Sequence, residues 1–152
     1  MTSVPITLLL VDDDADDREM TADALRESRL ANDLHFVNDG QELLDYLRRE
    51  GAHADPASSP RPSLILLDLN MPRMDGREAL AVIKKDPTLK RIPIVILTTS
   101  RADEDICSTY DLGVNSYISK PVSFEGLVQA MKSVGRYWFE LVELPPVVAE
   151  DA

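Results

Sequence analysis

Five short apolar runs, each followed by a longer amphipathic stretch, constrain the fold of this chain more tightly than any other feature. The runs are Thr7–Val11, residues 34–37, Leu64–Leu67, residues 94–97 and Ser116–Ser119. The first, third and fourth are almost unbroken Leu, Ile and Val, the pattern of strands buried on both faces of a parallel sheet. The stretches between them have helical spacing. Residues 15–28 carry Met20, Ala24 and Leu25, residues 40–49 carry Leu43, Leu44 and Leu47, and Gly76–Lys85 sets Ala79, Leu80 and Ile83 on one face. Residues 102–112 are the weakest of the helices, with Ile106, Tyr110 and a closing Gly113 as C-cap. The last helix starts at Ser123, a good N-cap, and is expected to run toward Leu144, where Pro145 and Pro146 end it. Repeated strand–helix–strand units imply right-handed crossovers with helices on both faces. The predicted fold is α/β: a doubly wound, (βα)5 parallel five-stranded sheet with an extended C-terminal helix.

A chain of 152 residues suffices for one domain with a substantial core. Residues 1–135 are read as that domain, and 136–152 as a helical extension and acidic tail. Residues 51–62, rich in Pro, Ser, Ala and Gly, read as a loop. The net charge of −11 argues against direct nucleic-acid binding, which relies on Lys and Arg to neutralise phosphates. Lys84, Lys85, Lys90 and Arg91 form one small basic cluster, read as a solvated helix end. No apolar stretch approaches the roughly 20 residues of a membrane span, and the N-terminus lacks a signal-peptide pattern. Cys107 has no second cysteine to pair with and is read as a packing residue. These features point to the cytoplasm and away from a membrane.

In an open α/β sheet the working site lies beyond the carboxyl ends of the strands, near a switch in strand order. The sequence delivers Asp12 and Asp13 there from the first strand, with Asp14 following, then Asp68 from the third, Thr98 from the fourth and Lys120 from the fifth. Carboxylates converging in one cleft repel unless a cation neutralises them, and hard oxygen donors in this number suit Mg²⁺. Phosphoryl transfer needs an in-line nucleophile and positive charge around the phosphoryl oxygens. Asp68 is the candidate nucleophile, since a carboxylate attacking phosphorus yields an aspartyl phosphate. Lys120 supplies a point charge to one oxygen and Thr98 a hydroxyl donor to another. Pro121 biases Lys120 away from helix and so holds it extended at the strand end.

Other readings of these residues are weaker. Asp12, Asp14 and Asp16 alternate as in an EF-hand, but that loop needs Gly at its sixth position and Glu at its twelfth, where Asp17 and Asp23 stand. Asp14 is either a neighbour of the metal site or a helix cap, and Asp16 and Asp17 are favourable charges at a helix N-terminus. His35 and His53 lack spaced partners and are read as surface or loop residues.

Four ordered motifs resemble those of receiver domains of two-component response regulators. They are Leu9-Leu10-Val11-Asp12-Asp13-Asp14, Leu66-Leu67-Asp68-Leu69-Asn70-Met71-Pro72 with Asp75-Gly76, Ile96-Leu97-Thr98-Thr99-Ser100, and Tyr117-Ile118-Ser119-Lys120-Pro121. The resemblance covers about residues 6–131. It implies metal binding by Asp12, Asp13, Asp68 and the backbone carbonyl of Asn70, phosphorylation of Asp68 by a histidine kinase, and switching through Thr98 and Tyr117. It also implies a protein that catalyses only its own phosphorylation and dephosphorylation. A haloacid-dehalogenase-type phosphohydrolase forms an aspartyl phosphate too, but needs a second Asp two residues after the nucleophile, where Asn70 stands. A phosphate sink without downstream output stays open at this point. Asn70 and Ser100 flank the path of attacking water and neither is an acid, so slow-to-moderate autodephosphorylation is expected.

Two further segments resemble a narrower branch, the stand-alone regulators paired with bacterial and cyanobacterial phytochromes. One is His35-Phe36-Val37-Asn38-Asp39-Gly40 followed by Leu43-Leu44-Asp45-Tyr46-Leu47; the other is Tyr137-Trp138-Phe139-Glu140-Leu141-Val142-Glu143-Leu144-Pro145. This implies a light-sensing, bacteriophytochrome-type histidine kinase as phosphoryl donor. Phe124, Leu127, Val128, Met131, Val134, Trp138 and Leu141 form an ordinary buried stripe, but from residue 137 onward the helix turns apolar on more than one side. An extension of roughly 10 residues adds about 15 Å, enough to project past a sheet about 20 Å long. Either the tail folds back over the core, or it forms a symmetric homodimer through Tyr137, Trp138, Phe139, Leu141, Val142 and Leu144. The homodimer is the favoured reading.

Overall fold

The computed structural model of the chain describes residues 7–28, 33–99 and 102–141. Strands β1 (Thr7–Val11), β2 (Asp33–Val37), β3 (Leu64–Leu67), β4 (Ile94–Thr98) and β5 (Ser116–Ser119) alternate with helices α1 (Ala15–Glu27), α2 (Gly40–Arg48), α3 (Gly76–Lys85), α4 (Asp103–Asp111) and α5 (Phe124–Gly135). The sheet is wholly parallel in the order β2-β1-β3-β4-β5. The doubly wound (βα)5 fold is the one expected.

Strand alternation builds the two sides of the core. Leu9, Val11, Ile65, Leu67, Ile94 and Ile96 pack with Leu43, Leu47, Leu80 and Ile83 of α2 and α3. Their neighbours Leu8, Leu10, Leu64, Leu66, Val95 and Leu97 pack on the opposite face with Leu25 of α1 and Leu127, Met131 and Val134 of α5. Successive side chains of a strand point to opposite faces, so an unbroken apolar run is what a sheet covered on both sides demands.

The local signals that start and stop the helices are satisfied. Asp14 Oδ1 accepts from the amides of Asp16 and Asp17, which settles its role as the N-cap of α1. Asp75 and Glu78 form a reciprocal capping box on α3, and Ser123 caps α5. Gly113, at φ +97°, follows the last turn of α4, where a residue with a Cβ is strained.

Several helical faces differ from expectation. Met20 and Tyr110 are exposed, as is Cys107, whereas Thr109 of α4 is fully buried. Thr109 satisfies its hydroxyl on the carbonyls of Asp105 and Ile106, so a polar residue serves where the aromatic was expected. Phe124 is also exposed, although Leu127, Val128, Met131 and Val134 of the same stripe are buried. Residues 51–62 include a short 3₁₀ turn, Gly51–His53, and are clasped to α2. Tyr46 Oη donates to the Pro60 carbonyl (2.7 Å), and Ser59 is buried with its hydroxyl on the carbonyls of His53 and Asp55.

Beyond Gly135 the last helix widens into a π-helical turn, Arg136–Leu141. Trp138 does not project: it is 6% exposed and belongs to the α1–α5 side of the core. Tyr137 is half-exposed and meets Trp138 edge-to-face at 5.3 Å between ring centroids. Val142 and Leu144, and the side chains of Phe139 and Leu141, lie outside the described residues.

Candidate functional site

The sheet order reverses direction between β1 and β3, and the ladder runs directly into the loops that follow them. Val11 pairs with Val37 on one side and Leu67 on the other. The next residues continue the pattern, Asp12 N donating to the Val37 carbonyl (3.2 Å) and Asp68 N to the Val11 carbonyl (3.0 Å). Thr98 pairs with Ser119, and Lys120 N donates to the Thr98 carbonyl at 2.7 Å. The ends of β1, β3, β4 and β5 thereby bring the expected residues to one edge, at the switch point where such sheets hold their ligands.

Asp12, Asp13 and Asp68 each offer a carboxylate oxygen to one point, all within 4.8 Å of one another. Asp12 is 1% exposed; its Oδ1 accepts from Asp14 N (3.0 Å) and its Oδ2 from Lys120 Nζ (2.9 Å). Lys120 Nζ also lies 3.6 Å from Asp68 Oδ2 and 3.6 Å from Asp17 Oδ2. Asp68 turns its other oxygen to the amide of Leu69 (2.7 Å). Burial pushes the Asp13 carboxyl above the usual carboxylate range, against the pull of its own backbone amide and reinforced by the charges of Asp12, Asp68 and Asp14. Burial alone would lower the Lys120 ammonium, but the hydrogen bond and charge of Asp12, with Asp68 and Asp17, hold it above the ordinary lysine value.

The donor set fits a hard divalent cation. Three carboxylates converge on one point, the Lys120 ammonium meets two of them, and the third, Asp13, is displaced toward protonation by burial first and by its acidic neighbours second, so the cluster has room for a further positive charge. Thr98 adds a second orphan: its side chain is fully buried, and Oγ1 has no hydrogen-bond partner among the described residues. A buried hydroxyl without a partner stands out in a well-satisfied interior. Thr98 ends the strand beside Asp68, one residue further along in register.

Asn70 lies two residues past Asp68 and is exposed in the β3–α3 loop. Tyr117 sits half-buried on β5, packed against the α2–α3 side of the core. Tyr137 and Trp138 belong to the far end of the last helix and line an open, mainly apolar groove of ≈ 330 Å³ with Ile118, Ala130 and Val134. Ser100 lies outside the described residues.

Some contributors were not read from the sequence. Asp17 reaches Lys120, and Arg77 of α3 binds Asp105 of α4 through Nε (2.8 Å) and Nη2 (2.8 Å). Gly76 lies where a Cβ would strike the Asp68 carbonyl oxygen, which lets α3 begin against the backbone of Asp68. The Asp75-Gly76 pair and the Asp-x-x-Glu spacing held that signal. His35 and His53 flank Tyr46, at 6.1 and 5.3 Å between centroids, and each meets an acid: Asp33 at 2.8 Å and Glu42 at 2.9 Å.

A cluster of acids at the switch point, one buried lysine and one buried hydroxyl form the donor set that phosphoryl acceptance on an α/β sheet requires. The chain belongs to the response regulator receiver domain family, which it matches over residues 8–132. It is 40% identical over 141 residues to the response regulator Rcp1 of Synechocystis sp., covering 93% of this chain and 94% of that one. It is similar to the phosphorylated cyanobacterial phytochrome response regulator RcpA, with a TM-score of 0.86 and 44% identity over 93% of this chain and 99% of that one. The Mn²⁺-bound form of Rcp1 aligns with a TM-score of 0.82 and 40% identity over 93% of this chain and 99% of that one. No helix among the described residues is long and apolar enough to cross a membrane.

Proposed function

We propose that Asp68 is the phosphoryl acceptor of a two-component system and that the donor is the phosphohistidine of a phytochrome-type sensor kinase. One Asp68 carboxylate oxygen attacks phosphorus, the N–P bond of the donor breaks with its electron pair returning to the imidazole, and an acyl phosphate forms. The observation that carries this is the placement of Asp68 between the acids Asp12 and Asp13 and the Lys120 ammonium. Asp12, Asp13, Asp68 and the Asn70 carbonyl would hold Mg²⁺, which when bound neutralises charge on the phosphoryl oxygens. Lys120 balances one phosphoryl oxygen, and the Thr98 hydroxyl, without a partner among the described residues, donates to another. Drawing Thr98 toward the phosphate vacates space beside α4, and Tyr117 turns inward to fill it, which converts a local charge into a changed surface. The Mn²⁺-bound state of Rcp1 and the phosphorylated state of RcpA support both parts of the reading.

The test is incorporation of acid-labile phosphate from acetyl phosphate and Mg²⁺. Asp68→Asn is expected to abolish it, and full incorporation by that variant sinks the assignment.

Residues 1–135 form the switch in this reading, and residues 136–152 join two copies. The support is the half-exposed Tyr137 beside the apolar groove on β5 and α5. Because Trp138 belongs to the core of its own chain, the contact rests on Tyr137 and the residues beyond Trp138.

A further inference from the structure

The loop after Asp68 has to be held by something other than the sheet. Residues 69–75 leave the ladder, return to α3 through the Gly76 N to Leu69 carbonyl bond (2.9 Å), and find their outside support on the β2–α2 turn. Gly40 N donates to the Met74 carbonyl at 2.8 Å, and a Cβ at Gly40 would lie 2.5 Å from that oxygen, so the two backbones meet as closely as glycine allows. Arg73 donates both Nε (2.8 Å) and Nη2 (2.6 Å) to Asp39 Oδ2. Asp39 is 4% exposed, and its other oxygen caps α2 by accepting from Glu42 N at 2.9 Å. Arg73 itself stands at φ +62°, a left-handed conformation that a residue with a Cβ keeps only when its surroundings hold it there. The same turn reaches the other acidic segment: Arg18 Nη1 donates to the Asn38 side-chain oxygen and to the Asp12 carbonyl (3.3 Å).

We infer that Asp39 and Arg73 are positioning residues for cation binding. Their ion pair pins the β3–α3 loop to the N-terminus of α2, and so holds the segment from Asp68 to Asn70 in place before a cation arrives. The inference rests on reading Asp12, Asp13 and Asp68 as the cation site. A purely structural role for Asp39 would show as lost stability alone. Positioning shows as lost cation affinity in a protein that is still stable, because groups that orient ligands tune affinity without touching the ion.

Arg73→Gly separates the two, since it removes the ion pair and also the backbone strain. The full chain is titrated with Mn²⁺ by calorimetry, and amide exchange is followed in the metal-free protein. Arg73→Gly is expected to stay folded, the relieved backbone offsetting part of the cost of leaving buried Asp39 without its counter-charge, while binding Mn²⁺ about tenfold more weakly and exchanging faster at residues 70, 71, 73 and 74. Asp39→Asn, which keeps the cap and loses the charge, is expected to fall between the two, as is Arg73→Lys, which keeps one charged donor. Wild-type Mn²⁺ affinity in Arg73→Gly, or unchanged exchange at residues 70, 71, 73 and 74, overturns the proposal. Asp13→Asn is the separate control: if it binds Mn²⁺ as tightly as wild type, the reading of the site itself fails.

Discussion

Among the described residues Lys120 is the one ammonium that meets the carboxylates of both Asp12 and Asp68, and removing it leaves Asp12 buried without its counter-charge. Breaking a buried pair from one side costs more than the pair contributes, because the remaining charge has lost its water. Lys120→Met is therefore expected to destabilise the metal-free protein by roughly 3 kcal/mol at neutral pH in urea unfolding. Asp12→Asn added to it should restore much of the loss, since the uncompensated charge goes too. Equal stability of Lys120→Met and wild type contradicts this account. The pH dependence follows from the raised ammonium. A group whose folded pKa lies above its unfolded value of 10.5 contributes fully below that pH and loses its contribution as pH rises through the folded value. Wild type should thus lose stability above about pH 10.5 more steeply than Lys120→Met does. Asp12, Asp13, Asp68, Thr98 and Lys120 were legible because each ends an apolar run. Asp39 and Arg73 were not, because 34 residues separate them and only the path of two loops brings them together.

Most helix boundaries could be read to within a residue or so because caps are local chemistry. Which face each helix buries was harder to read. Met20 and Tyr110 satisfy a helical period yet are exposed, since the neighbouring strands, not the period, decide what is covered. The tail shows the same limit in another form. The helical stripe that begins at Phe124 puts Trp138 in the core, where it lies, whereas its further assignment to a contact between copies does not fit that burial. Gly76 tests the closest contact between a helix and the site. Adding a methyl there drives it into the Asp68 carbonyl oxygen, and backbone cannot step aside as a flexible side chain can. Gly76→Ala is expected to cost about 2 kcal/mol in urea unfolding and to slow phosphate incorporation at Asp68. A variant with wild-type stability and wild-type incorporation shows that α3 can retreat without disturbing the acceptor.

The alternation of buried strands and half-buried helices specified the whole molecule's architecture, because a sheet apolar on both faces needs helices on both sides. The association of two copies is a different kind of question, and charge decides how to ask it. Each chain carries −11, so two copies repel at long range wherever they meet. The proposed contact lies at the Tyr137 end of the last helix, beside an apolar groove and away from the acidic cleft. Burial of apolar surface is little affected by moderate salt, whereas repulsion between the copies is screened as the Debye length falls from about 10 Å at 0.1 M toward about 3 Å at 1 M. An apolar contact between two acidic chains should therefore tighten as salt is added. Sedimentation equilibrium across that range is expected to show the dimer dissociation constant falling, and Tyr137→Glu to abolish the dimer at every salt concentration while leaving phosphate incorporation at Asp68 intact. Cross-chain ion pairs would weaken with salt instead, so a dissociation constant that rises refutes the apolar interface. A wild-type chain that sediments as a monomer throughout refutes the dimer itself.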